Sequence, residues 1–269
     1  MTDYQNETIP VREAHRLDEK KLHAYLADHM DGISDDIVLH QFAVGQSNPT
    51  YMVSTGGQRY VLRKKPPGTL LPSAHAVDRE YRVITALSPT AVPVPKTYLL
   101  CEDENVLGTA FYVMDMVPGR VLDDQLAPGF TPRERGAVYD NLLEILATFH
   151  SVDYEAIGLG NFGRPGNYYS RQINRWTKQY LASQTENIPA MNHLMKWLPQ
   201  NVPEDYTTTL VHGDYRLGNT IVHPTEPHIS AILDWELSTL GHPLADLAYT
   251  YVSCFMETGE VPVLLPGLP

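Results

Sequence analysis

The sequence predicts an α+β protein of two lobes, a small N-terminal one built on an antiparallel sheet with one key helix (residues 1–117) and a larger, mainly helical one (residues 118–269). Three observations predict it. Short alternating apolar segments crowd the first 117 residues, helical periodicity dominates after the Pro118-Gly119 break, and between Leu210 and Tyr249 polar residues stand where short strands end.

The elements follow in order. Leu22, Leu26 and Met30 share one side of a helix over about Asp18 to Met30, and strands are predicted at Ile37–Val44, Thr50–Ser54 and Arg59–Arg63, the last two joined by Gly56-Gly57. Between the first two strands lies Gly45-Gln46-Ser47-Asn48-Pro49. In it Gln46, Ser47 and Asn48 are candidates to fold over phosphates, although an ordinary loop has the same composition. Period-two alternation sets Val61 and Arg63 on one face of the third strand. A helix over Ser73–Leu87 carries Glu80 on its apolar side with Ala76, Val77, Val83 and Ile84. A carboxylate there needs a cationic partner, and Arg63 is the candidate. Strands are expected from Val92 to Leu100 and from Ala110 to Met116, with Met114 to Val117, and Met116 in particular, as the hinge that offers backbone groups to a nucleotide base.

After the hinge, Thr131-Pro132-Arg133-Glu134 is a capping box that opens a helix with Val138, Leu142, Ile145, Leu146 and Phe149 as its buried stripe. A second helix near Ser170 aligns Arg171, Arg175 and Lys178, and its periodicity turns Ile173, Trp176 and Tyr180 toward the core. The basic stripe reads either as a solvated face or as a partner for an anionic group of a substrate.

The chemistry is concentrated in His212-Gly213-Asp214, Asn219 and Asp234-Trp235-Glu236, with Thr208–Val211, Thr220–Val222 and Ile229–Leu233 as flanking strands. This order suits phosphoryl transfer, in which a protein positions the reactants and neutralises charge more than it forms bonds. Asp214 would orient or accept the proton of an attacking hydroxyl, while Asn219 and Asp234 offer oxygens to Mg²⁺. The spacing resembles the H-R-D-x-x-x-x-N loop of protein kinases, with Gly213 in place of the Arg. Another reading takes His212 and Asp214 as ligands of a hydrolase metal, completed by His223, His228 or His242.

Composition narrows the classes. Lys+Arg of 20 against Asp+Glu of 32 gives a net charge of −12, which disfavours nucleic acid or an anionic membrane as a general partner. The 2 cysteines make no disulfide framework, and no apolar run reaches the roughly 20 residues of a membrane span. The expectation is a soluble cytoplasmic protein with a small-molecule partner; nothing in the sequence sets an oligomeric state.

With loop, Arg63, Glu80, hinge and double-Asp motif in order, nearly the whole chain resembles the aminoglycoside phosphotransferase and choline kinase-like family. More narrowly, Gly45–Tyr51, Leu62–Gly68 and Asn167–Ile173 resemble the kinase-like domain of acyl-CoA dehydrogenase family members 10 and 11 and its bacterial relatives. The resemblance implies a protein-kinase-like fold and ATP (or GTP) with Mg²⁺ as cofactors. It also implies a catalytic Asp214, metal binding by Asn219 and Asp234, phosphate contacts from Arg63 and Gln46–Asn48, and 4-hydroxyacyl-CoA as the acceptor. Two departures stand out. Gly241-His242-Pro243 lacks the acidic residue that many relatives carry in this turn, though Asp246 follows and is expected to support the site with His212. Relatives also continue for several helices beyond Pro269, which predicts an incomplete substrate pocket. Competing functions are a kinase of a cationic aminoglycoside or choline-like amine, favoured by the excess of 17 Asp+Glu over 8 Lys+Arg in residues 121–269, and a non-catalytic nucleotide-binding module.

Overall fold

A computed structural model describes residues 8–43, 48–68, 75–122, 124–204 and 207–252. The N-terminal part is a six-stranded antiparallel sheet in the order β1-β2-β3-β4-β6-β5. Its strands are β1 (Thr8–Ile9), β2 (Val38–Phe42), β3 (Thr50–Thr55), β4 (Gln58–Lys64), β5 (Thr97–Cys101) and β6 (Phe111–Asp115). Helix α1 (Glu19–His29) starts at Asp18, whose side chain accepts the Lys21 N–H, and lays Leu22 and Leu26 on the face formed by Tyr51, Leu62, Phe111 and Val113. Alternation then sends Val61 and Arg63 of β4 to the opposite face, toward α2 (Val77–Leu87). Arg63 also pairs across the ladder with Tyr112 of β6.

Two boundaries differ from expectation. Helix α2 begins at Val77 rather than Ser73, because His75 has a φ of 58° that no α-helix accommodates; Ser73 itself lies outside the described residues. The strand expected from Val92 begins only at Thr97, since Pro93 and Pro95 have no N–H for the ladder. The Pro93 carbonyl instead accepts Ile232 N–H at 2.9 Å. A short helix, α3 (Glu104–Leu107), fills the β5–β6 connection.

In the C-terminal part, α4 (Pro132–His150) opens with both halves of the predicted capping box and buries all five residues of its predicted stripe. Three short strands, β7 (Arg120–Val121), β9 (Thr220–Val222) and β10 (Ile229–Ile232), form one sheet, and β8 (Thr209–Val211) pairs with β11 (Thr239–Gly241). Helices α5 (Tyr168–Ser183), α6 (Pro189–Trp197) and α7 (Leu244–Val252) complete it. The main core runs through both parts, from Val83, Ile84 and Met114 to Leu142, Phe149, Leu210 and Trp235.

Helix α5 departs from its sequence pattern. It has no buried residue, and Trp176 is 61% exposed instead of facing the core. Periodicity marks an apolar side but not what covers it, and among the described residues this side has little packed against it.

Gly119, directly before β7, permits a close crossing: a Cβ there would stand 2.4 Å from the Val222 carbonyl oxygen and 2.3 Å from Ile221 Cγ2. Gly119→Ala is therefore expected to lose about 2 kcal/mol by separating β7 from β9, measurable as a lower urea midpoint.

Candidate functional site

The site is assembled at the ends of the short strands. After β8, the chain turns at Gly213 with φ 86°, where a Cβ would lie 2.9 Å from the Leu237 carbonyl oxygen. This contact gives a physical reason for glycine at the position where kinases have Arg. Asp246, on α7 and 0% exposed, fixes the turn: its two carboxylate oxygens accept the N–H groups of His212 and Gly213, each at 2.8 Å, and His150 Nε2 donates at 3.0 Å. His212 is held at both nitrogens, with Nδ1 accepting Asp214 N–H at 3.2 Å and Nε2 donating to the Leu233 carbonyl at 2.9 Å. It thereby links the segment of Asp214 to that of Asp234.

Neither nitrogen of His212 is left for a metal, which removes the hydrolase arrangement. Of its other proposed ligands, His223 accepts the Thr225 and Glu226 N–H groups at Nδ1 and groups with Glu226 and His228 beside the β9–β10 turn, and His242 Nδ1 lies 3.1 Å from the Tyr169 hydroxyl.

Asp214 and Asn219 meet, and the segment of Asp234 runs beside them. Asn219 donates its amide nitrogen to Asp214 Oδ2 at 2.7 Å and to the Asp214 carbonyl at 2.8 Å, leaving its oxygen for another partner. Backbone pairing of Leu233 N–H with Asn219 O, 2.8 Å, ties the two acidic segments together. Asp234 itself sits in the left-handed region with φ 64° and ψ 53°, so β10 ends there and the 3₁₀ turn Trp235–Leu237 begins. An amide oxygen with no hydrogen-bond donor among the described residues and a partly exposed carboxylate, hard donors on adjoining segments, fit Mg²⁺. The carboxylate already faces a cation, since Arg63 Nη2 lies 2.5 Å from Asp234 Oδ1.

The predicted strand-to-helix ion pair is present. Arg63 Nε stands 2.9 Å from Glu80 Oε2, and Glu80 is 1% exposed. Burial raises the Glu80 carboxyl, while Arg63 opposes that rise and Asp234 and Glu236 add to it. Burial works against the charge of Arg63, but Glu80, Asp234 and Glu236 together keep it firmly protonated. Glu80→Gln is expected to cost about 2 kcal/mol, because a buried guanidinium loses its counter-charge, and to raise the nucleotide KM; paired thermal melts and steady-state kinetics measure both.

Other predicted residues divide. Asn48 is buried with both ends of its amide engaged, Nδ2 donating to Glu236 Oε2 at 3.1 Å and Oδ1 accepting from His75 Nδ1 at 3.1 Å. That arrangement joins it to the Asp234 segment. Gln46 and Ser47 lie outside the described residues. Met116 follows β6 directly and packs against the main core. Arg171 turns back to the Gly166 and Arg164 carbonyls, which separates it from Arg175 and Lys178, both exposed on α5.

Sequence reasoning missed three parts of this region. Glu236 was read only as part of a motif, yet it bridges to Asn48 and lies 3.9 Å from Arg63. Tyr249 on α7 lies against Asp214, its phenol pushed up to about 12 by burial and by hydrogen bonding to that carboxylate. Finally, Arg79 donates to the Phe162 and Ser238 carbonyls at 2.8 and 3.3 Å and stacks 4.1 Å over the Phe162 ring, while Arg82 donates to the Gly158 carbonyl at 2.8 Å. Two arginines that read as an exposed run thus strap α2 to the C-terminal part.

Comparison with known proteins agrees with this geometry. Acyl-CoA dehydrogenase family member 11 of Rattus norvegicus is 47% identical over 252 residues, covering 92% of this chain and 32% of the relative. Member 10 of Mus musculus is 46% identical over 261 residues, covering 96% and 24%. The chain thus spans about a third or less of these curated relatives. A crystal structure from Ralstonia eutropha, described as an aminoglycoside phosphotransferase, is 53% identical with a TM-score of 0.82, over 91% of this chain and 72% of that one. The fold extends to an aminoglycoside phosphotransferase crystallised with ADP and hygromycin B, 20% identical, TM-score 0.60, over 85% of this chain and 75% of that one. The model of the phosphotransferase enzyme family matches residues 38–265, most of the length, and with the kinase-like site at the strand ends the chain belongs to that family.

Proposed function

We propose that this phosphotransferase moves the γ-phosphoryl group of ATP to the hydroxyl of a 4-hydroxyacyl-CoA, in the cytoplasm. The observation that carries the reaction is the Asn219 amide on Asp214 Oδ2 at 2.7 Å, with the Leu233 N–H on the Asn219 carbonyl at 2.8 Å bringing the Asp234 segment alongside and Arg63 joining Asp234 to Glu80. In this reading residues 1–117 hold the nucleotide, with Val61 against its base and Met116 at the hinge, and residues 118–269 hold the acceptor.

Asp214 orients the acceptor hydroxyl and takes its proton as the oxygen forms a bond to the γ-phosphorus. The bond to the β,γ-bridging oxygen breaks, and its electron pair leaves on ADP. The Asn219 oxygen and Asp234 would hold Mg²⁺, which would supply charge neutralisation for the phosphates. Arg63 turns an Nη nitrogen toward the same phosphates while Glu80 stays beside Nε.

Two features favour an acyl-CoA. Apolar surface lies beside the Asp214 turn: Leu237 packs against Gly213 and is 56% exposed, and Tyr249 adds an aromatic face. These groups suit an aliphatic chain carrying a hydroxyl better than a polycation. Arg175 and Lys178 offer charge to the phosphates of CoA, and the longer proteins that this chain matches in part bear the name acyl-CoA dehydrogenase.

Purified protein with Mg²⁺, ATP or GTP and a panel of 4-hydroxyacyl-CoAs, aminoglycosides and choline-like amines tests the proposal by mass spectrometry. Phosphorylated acyl-CoA is the expected product. Preference for an amine would replace the acceptor assignment, and tight ATP binding without turnover of any acceptor would mark a binding module.

A further inference from the structure

The arginines around the site differ in how much of their hydrogen-bonding capacity the fold uses. Arg63 is committed to Glu80 and Asp234, Arg79 and Arg82 to carbonyls of the C-terminal part, and Arg171 to the loop before α5. Arg216 is different. It lies two residues after Asp214, inside the segment that ends at Asn219, and its backbone carbonyl accepts Asn219 N–H at 3.0 Å. Its Nε stands 3.5 Å from Asp214 Oδ1, and its side chain remains 28% exposed. Among the described residues no hydrogen bond uses either Nη nitrogen.

The Asp214 carboxylate is equally asymmetric. Oδ2 accepts from Asn219 at 2.7 Å, whereas among the described residues no N–H donates to Oδ1. The oxygen available to a substrate hydroxyl is therefore the one beside the guanidinium. A planar fork with free donors, held next to the acceptor oxygen and near the metal-binding amide, is chemically matched to the oxygens of a phosphoryl group in transfer.

We propose that Arg216 is a catalytic residue that grips the moving phosphoryl group. This inference rests on the reaction proposed above. As the acceptor oxygen bonds to phosphorus, its proton passes to Asp214 and the bond to the ADP oxygen breaks. Arg216 donates two N–H groups to equatorial phosphoryl oxygens through this change and keeps all its protons. Its grip is tighter in the transition state than on bound ATP, so it acts on turnover more than on nucleotide affinity.

The test compares binding of MgADP with that of MgADP–aluminium fluoride, a mimic of the transferring phosphoryl, for wild type, Arg216→Gln and Arg216→Lys. Wild type should bind the fluoride complex more tightly than MgADP. Arg216→Gln should lose about 100-fold in affinity for the mimic while its MgADP affinity stays within about twofold. Arg216→Lys, which keeps charge but lacks the fork, should fall between them, and it carries the test if the Gln variant does not fold. If the Arg216 variants bind the mimic as wild type does, or lose both ligands equally, this role is wrong while the proposed reaction stands. If wild type binds neither ligand, the reaction and this role fall together.

Discussion

Asp214→Asn should abolish phosphoryl transfer, lowering kcat by about 10³-fold or more while leaving MgATP affinity nearly unchanged. Asparagine is close in shape and can still accept from Asn219 where Asp214 Oδ2 accepts at 2.7 Å, so the local turn persists. What disappears is the negative charge that orients the hydroxyl and takes its proton. In the proposed reaction the nucleotide is held by other groups, chiefly Arg63 and a metal at Asn219 and Asp234, so binding and chemistry should separate. Isothermal calorimetry with MgATP together with a single-turnover assay checks this. A variant that retains more than about a tenth of wild-type turnover would show that proton transfer to Asp214 is not limiting.

The largest stability loss is expected from Asp246→Ala, about 4 kcal/mol. Removal of this fully buried carboxylate leaves the N–H groups of His212 and Gly213 without acceptors and takes the partner from His150 Nε2. Each orphaned donor costs about 1–3 kcal/mol, and a cavity is added. Activity should fall too, because the backbone that aims Asp214 is no longer fixed. Asp246→Asn retains one good acceptor and should lose about half as much, which distinguishes hydrogen-bond loss from cavity formation. Urea titrations of both variants give the comparison.

Much of this site is legible in the sequence because its chemistry is written locally. Strand endings mark where Asp214 and Asp234 project, and an acidic residue on the apolar side of a helix requires a cation, which made Arg63 and Glu80 a pair. The unreadable parts depend on long-range contact. Nothing near Arg79 indicates that the Phe162 and Ser238 carbonyls will meet it, and nothing near Asn48 indicates Glu236, 188 residues away. Trp176 shows the reverse error: amphipathic spacing states that a face is apolar, whereas burial depends on a neighbour that the local sequence does not specify. Arg171 shows that a charged stripe can lose a member to carbonyls of the preceding loop.

The strap from Arg79 and Arg82 to the C-terminal part bears on how such a protein can be controlled. Many protein kinases are switched by swinging the helix that carries the glutamate partner of the nucleotide-binding cation. Here that helix is moored at Gly158, Phe162 and Ser238, so Glu80 and Arg63 are set before any ligand arrives. A switch that works by displacing α2 would have to break charge-assisted bonds to three carbonyls at once. For the proposed reaction, control would then fall on supply of the acceptor and release of its product, with the flux of metabolite rather than the posture of α2 as the governing variable.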